Sequence, residues 1–260
     1  MKLNSCAEYT PSSWETTKIK FIASRIGSGK TPKGGSDVYT NNGVMFIRSQ
    51  NVHFSGLKLD DVVFIHENID AEMKSTRVQD SDILLNITGA SLGRCSIVPP
   101  DFPPANVNQH VCIIRPLTEK TIPRFLYYVI MSHSVQTQIF NSQVGSSREG
   151  LNFSEVKDLE FLLPSLNKQS EIADYLDRET AKIDNLITAM EQLLTLLAAK
   201  RQAVISEAVT RGLGADVPLR VSGVEWLGEI PAHWAIPPVY ARYDVQLGKM
   251  LDTKRIVGTN

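Results

Sequence analysis

The sequence predicts an α+β fold, in which a mixed domain of short strands and helices is followed by a long coiled-coil-like α-helix. The first 163 residues contain several brief apolar runs bounded by turn-forming residues, as short strands do. From Leu166 to about Thr210 the chain contains no Gly or Pro, and apolar residues recur at heptad spacing. We therefore predict a globular domain over residues 1–163, a long helix over 164–212, and a linker with the start of a further domain over 213–260.

Five apolar runs in the first domain are predicted to form strands, because Gly, Pro, Asn, Asp or Ser interrupts the chain between them. These runs are Val44–Ile47, Val62–Ile65, Ile83–Leu85, Ser96–Val98 and Val111–Ile114. One helix is predicted to begin after Pro123 and to continue to about Phe140. Its apolar side chains share one face: Phe125, Leu126, Val129 and Ile130.

The long helix carries an apolar seam that requires a partner helix. The residues expected to pack in it are Ile172, Leu176, Ile183, Leu186, Met190, Leu193, Leu197 and Val204. Charged residues interrupt the second register of this seam at Glu179, Lys200 and Glu207. At about 1.5 Å per residue the helix is roughly 65 Å long.

Stop signals stand at both ends of this helix. Ser165 and Asn167 are candidate N-cap residues, and Gly212 and Gly214 follow the last apolar turn. Beyond them, Pro231–Trp234 resembles Pro11–Trp14, and Gly248-Lys249 further on resembles Gly29-Lys30. This repetition predicts that a second copy of the first domain begins near the end of the sequence.

Composition excludes several classes of protein. The net charge of -1 gives no global attraction to nucleic acid, so any such attraction must come from local clusters. Three widely spaced cysteines form neither a disulfide framework nor a zinc-binding pair. With no signal peptide and no apolar run of about 18 residues, we expect a cytoplasmic protein without a membrane partner.

No motif in the sequence predicts a catalytic residue, a metal site or a cofactor. Gly27–Thr31 resembles the end of a phosphate-binding loop, but Ser24 occupies the position of the first glycine. Pro32 and Gly34 follow, where such a loop needs a helix. A nucleotide hydrolase that uses this loop is the enzyme alternative, and loss of nucleotide binding in Lys30→Ala would identify it.

A local surplus of positive charge lies between residues 14 and 50, where six basic residues accompany only Glu15 and Asp37. The six are Lys18, Lys20, Arg25, Lys30, Lys33 and Arg48. Contacts to phosphate groups require such a local surplus. The stretch from Val62 to Asp82 is acidic, and we interpret it as a solvated face or a protein contact.

Side chains that bond base edges are concentrated in predicted loops, where Arg suits guanine and Asn or Gln suits adenine. Asn, Gly and Ser are also turn formers, so each residue alone has a purely structural interpretation. As a group they predict a DNA-contacting surface. The predicted contact residues are Lys30, Lys33, Arg48, Gln50, Asn51, Asn86, Thr88, Ser91, Arg94, Asn108, Gln109, His110, Ser147 and Arg148.

The chain resembles the specificity (S) subunits of type I restriction-modification enzymes over nearly its whole length. Three stretches carry this resemblance: Leu151–Pro164, Lys168–Asp177 together with Lys182–Asp184, and Gly223–Trp234. Weaker likeness to the target-recognition domain of that family lies in Gly29–Pro32, Asp82–Leu85, Gly93–Val98 and Asn108–His110.

The resemblance implies a non-catalytic subunit with two recognition domains, each of which reads one half of an interrupted site in double-stranded DNA. Antiparallel spacer helices separate the domains and dock two methyltransferase (M) subunits, and restriction (R) subunits complete the enzyme. S-adenosylmethionine belongs to the M subunit and ATP to the R subunit, so we expect no cofactor here.

In these terms the residues 1–163 form a target-recognition domain, 164–212 a spacer helix, and 213–260 the truncated start of a second recognition domain. The sequence is then either a cut chain or a natural half-subunit, and a half-subunit is expected to form a homodimer through its seam. The alternative is a structural or regulatory coiled-coil module that binds another protein and no DNA.

Overall fold

The computed structural model describes residues 14–142, 150–214, 216–244 and 248. The chain forms two compact units, Met1–Ala181 and Lys182–Asn260. The first unit contains strands and helices around several apolar clusters, and the long helix continues from the first unit into the second. The predicted α+β fold with a long helix is confirmed.

A four-stranded antiparallel sheet lies at the centre of the first unit. Its strands stand side by side in the order β2, β10, β7, β8. They are β2 (Ala23–Ser28), β10 (Val111–Pro116), β7 (Ile83–Asn86) and β8 (Cys95–Ile97).

Both faces of this sheet are covered. Cys112 and Ile114 face a core made with the helices, whereas Val111 and Ile113 face a second core on the opposite side. A strand buried on both faces is apolar at every position, which explains the unbroken apolar run in β10.

The second core connects this sheet to a smaller, three-stranded sheet. The smaller sheet has the order β6, β3, β9, in which β3 pairs antiparallel with β6 and parallel with β9. Its strands are β3 (Val44–Ile47), β6 (Val63–Ile65) and β9 (Ala105–Val107). On its far side, Phe46 and Ile65 pack with Met73, which follows helix α1 (Glu67–Glu72).

The remaining strands form three two-stranded pairs in the described chain. They are β1 (Glu15–Lys18) with β11 (Glu160–Leu163), β4 (Val52–His53) with β5 (Gly56–Leu57), and β12 (Leu219–Val221) with β13 (Glu229–Pro231). All five predicted strands are confirmed, with bounds that differ by at most two residues.

The prediction of one continuous helix from Pro123 to Phe140 is wrong. The structure has two helices, α2 (Pro123–Met131) and α3 (His133–Asn141), separated by Ser132 in an extended conformation. The Ser132 hydroxyl accepts a hydrogen bond from the Val135 amide and so caps the second helix. A local side-chain bond of this kind competes with continuation of the first helix.

Helix α4 (Phe153–Asp158) begins with a capping box, in which Asn152 and Glu155 each accept a hydrogen bond from the backbone amide of the other. The long helix α5 spans Leu166–Arg211 and confirms the predicted helix. Ser165 immediately precedes it, whereas Asn167 lies inside the helix and is not its cap. Gly212 ends the helix with a φ of 79°, which favours glycine.

The first turns of α5 are anchored to the first unit. The buried Gln169 side chain accepts hydrogen bonds from Thr121 Oγ1 and the Ile122 amide, and donates to the carbonyl of Pro164. Arg124 forms ion pairs with Asp174 and Asp177, two residues of the same helix. These bonds fix where α5 begins relative to α2.

Asp82 precedes β7 and forms a buried ion pair with Arg115 of β10. Its side chain is 0% exposed, and Arg115 donates to its two oxygens at 2.7 and 2.8 Å. The Gln79 amide donates to the same carboxylate at 2.7 Å. The pair therefore ties two neighbouring strands of the central sheet together.

The thiols of Cys95 and Cys112 are buried in the core that the central sheet forms with the helices. Burial raises the pKa of the Cys112 thiol from 9.0 to about 12, and it raises the pKa of the Cys95 thiol as well. We expect a thiol reagent at about pH 8 to leave both unmodified in a folded Cys6→Ser variant, because the thiolate is the reactive form. Unfolding in urea should expose both to the reagent.

Burial of the two thiols should also lower the free energy of unfolding as the pH rises above 9.0, because the thiols of the unfolded chain ionise at a lower pH than the buried ones. Labelling at similar rates with and without urea would contradict the burial.

No helix in the described chain is both long enough and apolar enough to cross a membrane.

Candidate nucleic-acid interface

Several loops meet at one end of the central sheet because its neighbouring strands are antiparallel. Ser28, the last residue of β2, lies opposite Cys112, and Asn86, the last residue of β7, lies opposite Val111. The loops that follow β2 and β7 therefore lie at the same edge as the loops that precede β10 and β8. Since β7 and β8 are consecutive, these are three loops: the loop after β2, the β7–β8 hairpin loop and the loop before β10. Most of the predicted contact residues belong to them.

A shallow depression of about 360 Å³ lies at this edge. Five of the predicted contact residues line it: Gln50, Thr88, Ser91, Arg94 and His110. Ser49, Gly89 and Ala90 complete the lining and were not predicted. Of these, Gly89 and Ala90 lie between Thr88 and Ser91 in the sequence, so inclusion of the whole hairpin loop would have found them.

The turn before β10 is held by its own polar side chains. Asn108 Oδ1 accepts a hydrogen bond from the His110 amide at 3.1 Å, and Thr88 Oγ1 lies 2.6 Å from His110 Nδ1. Gln109 Nε2 lies 3.2 Å from His110 Nε2, and the Gln109 side chain is exposed. These bonds hold His110, which lines the depression, whereas the exposed Gln109 beside it in sequence does not line it.

Lys30 is positioned beside this turn by a close approach of two backbone segments. The Gly29 amide donates to the carbonyl of Val111 at 3.1 Å, and the Lys30 amide donates to that of Val107 at 3.3 Å. A Cβ on Gly29 would lie 1.7 Å from the Val107 carbonyl oxygen. The glycine of the Gly27–Thr31 motif therefore serves backbone packing.

We expect Gly29→Ala to lower the free energy of unfolding by at least ~1–3 kcal/mol, because the new methyl group overlaps backbone atoms that cannot move aside. Gly27→Ala is the matched control, since no atom lies within 4 Å of a Cβ at that position. Urea unfolding of both variants measures the difference. Equal stability of the two would show that the close approach at Gly29 is absent in solution.

The predicted basic cluster is not one surface. Lys18 pairs with Asp158 at 3.4 Å and Glu160 at 3.2 Å, and Lys20 pairs with Asp158 at 2.8 Å. The hydrogen bonds to Glu160 and Asp158 raise the pKa of Lys18, and those from Lys20 and Lys18 lower the pKa of Asp158. Both lysines are thus neutralised by acidic residues that lie far from them in sequence.

Three other basic side chains keep their charge uncompensated. Lys30, Lys33 and Arg94 are exposed, and none takes part in an ion pair with any residue that the structure describes. Arg94 lines the depression, Lys30 lies beside the turn before β10, and Lys33 lies in the loop after β2. Exposed, unpaired cations of this kind can bind phosphate groups.

The turn from Arg48 to Asn51 is bonded mainly to the protein itself. Arg48 donates to the Asp61 carbonyl at 2.8 Å and lies over the Tyr39 ring. Asn51 is fully buried and donates to the Lys58 carbonyl and to the Asp61 carboxylate. Asn51 is therefore unable to contact a ligand in this conformation, and Arg48 is largely committed to Asp61.

Asn86 is also a structural residue. Its side chain is fully buried and donates to the carbonyl of Ser49 at 2.8 Å, which connects β7 to the Arg48–Asn51 turn. Its Oδ1 accepts no hydrogen bond within the described chain. The expectation that Asn51 and Asn86 read base edges is thus not supported by their burial.

Ser147 and Arg148 lie outside the described residues. Gly150, where the description resumes, forms an isolated bridge with Thr88, and the Leu151 amide donates to the Ile87 carbonyl at 2.7 Å. Gly150 and Leu151 therefore lie at the same edge of the sheet as Thr88.

The predicted seam residues of α5 divide into two groups. Ile172 packs against the first core of its own unit, and Leu176 is half-buried. The remaining side chains are exposed in this structure: Ile183, Leu186, Met190, Leu193, Leu197 and Val204. The expectation that Ile172 packs on a partner helix is corrected in part, because it already contacts the globular core.

The edge as a whole offers hydrogen-bond donors, acceptors and positive charge. No group of three or more His, Cys, Asp or Glu side chains suited to a metal ion occurs among the residues that the structure describes. In protein–DNA interfaces, cationic side chains contact phosphates, and neighbouring polar side chains form hydrogen bonds with base edges.

Comparison with known proteins identifies the family of this chain. Residues 11–195 match the type I restriction modification DNA specificity domain family. The type I restriction enzyme EcoBI specificity subunit of Escherichia coli is 28% identical over 193 residues, covering 73% of this chain and 40% of that protein. The putative MjaX specificity subunit of Methanocaldococcus jannaschii is 24% identical over 254 residues, covering 95% and 55%. This chain spans about half the length of these relatives.

Solved structures share the fold. The HsdS subunit from Thermoanaerobacter tengcongensis superposes with a TM-score of 0.56 at 18% identity, covering 82% of this chain and 54% of that chain. A chain from a study of complex assembly and conformational transition in a type I restriction-modification system gives 0.55 at 19% identity, with the same coverage. Because the family match extends over most of the sequence, the resemblance is confirmed, and the chain belongs to the type I restriction modification DNA specificity domain family.

Proposed function

We propose that this chain is a DNA-recognition subunit of a type I restriction-modification system, and that its first unit reads one half of an interrupted site. One observation carries the proposal. Lys30 and Arg94, which form no ion pair with the described residues, lie at the same edge of the central sheet as a depression lined by amide, hydroxyl and imidazole side chains, and Lys33 follows in the loop after β2.

The chemistry of this edge suits duplex DNA. Lys30 and Lys33 can bind phosphates without regard to sequence. Arg94 can form paired hydrogen bonds with guanine, and Gln50 or Gln109 can do so with adenine. The hydrogen bonds of the buried Asn51 and Asn86 and of the half-buried Asn108 position these loops, so loop geometry sets which bases are read.

We further propose that methyltransferase subunits dock on α5. Its exposed apolar residues extend beyond the heptad seam to Ile187, Leu194 and Leu196, each about half exposed or more. A two-stranded coiled coil covers only a narrow stripe, whereas a wider apolar surface suits packing against further helices. In this proposal the M and R subunits catalyse the reactions, and this chain selects the DNA sequence on which they act.

The unpartnered seam supports a homodimer of this chain. Exposed side chains from Ile183 to Val204 lie along one stripe, and a second copy would remove them from water. A two-fold axis in the protein demands one in the site, so such a dimer would read an inverted, interrupted repeat.

Light scattering of the chain alone and mixed with a methyltransferase subunit, at two salt concentrations, tests the assembly. We expect a dimer alone and a complex with two methyltransferase copies in the mixture, because apolar contacts persist in salt. A mass that stays monomeric at every concentration would refute the homodimer. No association with the methyltransferase would instead favour a coiled-coil module of another system.

Selection of sites from random duplexes by the assembled complex tests the recognition itself. The expected product is a two-part sequence with a spacer whose bases are unrestricted. Retention of all duplexes alike would contradict sequence reading by this edge.

A further inference from the structure

Gln50 belongs to a turn whose backbone is held by side chains from several parts of the chain. In the turn Arg48–Asn51, the Ser49 carbonyl accepts a hydrogen bond from the Asn86 side chain at 2.8 Å. His53 Nε2 lies 2.9 Å from the Gln50 carbonyl oxygen. Gln50 itself is exposed and lines the depression. The backbone that carries its side chain is therefore held in place before any ligand binds.

Asp61 forms hydrogen bonds with three residues of the same turn. Its Oδ1 accepts from Asn51 Nδ2 at 2.8 Å, and its Oδ2 accepts from Gln50 Nε2. Its backbone carbonyl accepts from the Arg48 side chain at 2.8 Å. Asn51 is fully buried, whereas Gln50 is exposed. Asp61 therefore connects the exposed amide of Gln50 to the buried residue that anchors the turn.

The bond to Asp61 decides which way the Gln50 amide faces. An ionised carboxylate only accepts hydrogen bonds, so the nitrogen of this amide, and not its oxygen, lies against Asp61. The second N–H group and Oε1 remain, and Oε1 accepts no hydrogen bond from the residues that the structure describes. In the major groove adenine presents an acceptor beside a donor, whereas guanine presents two acceptors. The remaining donor and acceptor of Gln50 match adenine.

We propose that Asp61 is a positioning residue for base recognition, which holds Gln50 in the orientation that reads adenine. This inference rests on the DNA-recognition function proposed above, and it names the base for one contact of that site. A side chain that is already ordered loses less conformational freedom when it binds. Asp61 therefore strengthens base discrimination, although phosphates repel its negative charge.

Competition between duplexes for the complex assembled with the methyltransferase subunit tests this role. We expect Gln50→Ala to lower the preference for adenine at one position of the half-site about fivefold or more. Asp61→Ala should lower the preference at that same position at least about threefold. Binding of unselected duplexes should stay as strong or become stronger, because a negative charge is lost. In a Gln50→Ala background, Asp61→Ala should change the preference no further, because the two residues act as one unit.

Asp60→Ala is the matched control, since it removes the same charge from the exposed neighbouring residue. It should change the adenine preference no more than about twofold. A uniform loss of affinity for all duplexes in Asp61→Ala would show that Asp61 only supports the fold, and would overturn the inference. An unchanged adenine preference in Asp61→Ala would overturn it too.

Gln50→Arg gives an independent test at an exposed position. The Asp61 carboxylate can also hold a guanidinium, whose other N–H groups match the two acceptors of guanine. The preferred base should therefore change from adenine to guanine at the position that Gln50→Ala identifies. Retention of adenine there would overturn the inference, although selective binding by the parent complex would stand. A parent complex that binds all duplexes alike would instead refute the proposed function.

Discussion

Asp82→Ala is expected to lower the free energy of unfolding by ~3–5 kcal/mol, because it leaves the half-buried Arg115 guanidinium without the carboxylate that holds it. The same change removes the acceptor of the Gln79 amide. Urea unfolding followed by circular dichroism measures the loss.

Two variants separate the ion pair from a general effect of losing an aspartate. Asp158→Ala removes an exposed carboxylate that forms only surface ion pairs, with Lys18 and Lys20, so its effect on the free energy of unfolding should be much smaller. The double variant Asp82→Leu/Arg115→Met should recover part of the stability, since an apolar pair needs no charge compensation. An Asp82→Ala protein as stable as Asp158→Ala would show that the buried pair does not hold the sheet together.

The double variant Lys30→Ala/Arg94→Ala is expected to weaken DNA binding by the assembled complex at least about tenfold, through the loss of a phosphate contact and of a base contact worth ~1–3 kcal/mol. The salt dependence should also become shallower, by about 0.9 in slope for each phosphate contact that is lost. Binding of a selected duplex at several salt concentrations measures both effects.

Lys18→Ala/Lys20→Ala is the matched control, since it removes the same charge from the same basic stretch of sequence. These lysines are already paired with Asp158 and Glu160, so we expect little change in affinity or salt slope. Equal losses in both double variants would show that DNA responds to overall charge and not to this edge of the sheet.

The order of elements could be predicted from the sequence where the local pattern was strong. Val44–Ile47 and Val111–Ile114 are apolar at every position, and α5 repeats its apolar residues over many turns. The other eight strands of the described chain were missed, and β2 and β9 show why. Residues Ala23–Ser28 contain Ser, Arg and Gly and have no apolar run, and β9 is only three residues long. Their strand conformation comes from pairing with neighbours that are distant in sequence.

The candidate site could be predicted as a set of loops and not as a set of contacts. Thr88, Ser91, Arg94 and His110 meet because antiparallel pairing brings three loop ends to one edge. Asn86 has a side chain of the kind that hydrogen-bonds to bases, but it is buried and its amide donates to the Ser49 carbonyl instead. Sequence composition does not show whether a polar side chain is buried within the protein or exposed at the candidate site.

By itself the sequence determined the α+β class, the long heptad helix and the family, because all three depend on the order and spacing of residues along the chain. Only the tertiary structure decided which of those residues keep their chemistry for a partner. Asn51 and Asn86 are buried, Lys18 and Lys20 are neutralised, and Lys30 and Arg94 remain exposed and unpaired within the described chain. The physical reason is that burial and charge compensation depend on neighbours in space, such as Asp158 beside Lys20, which lie far away along the chain.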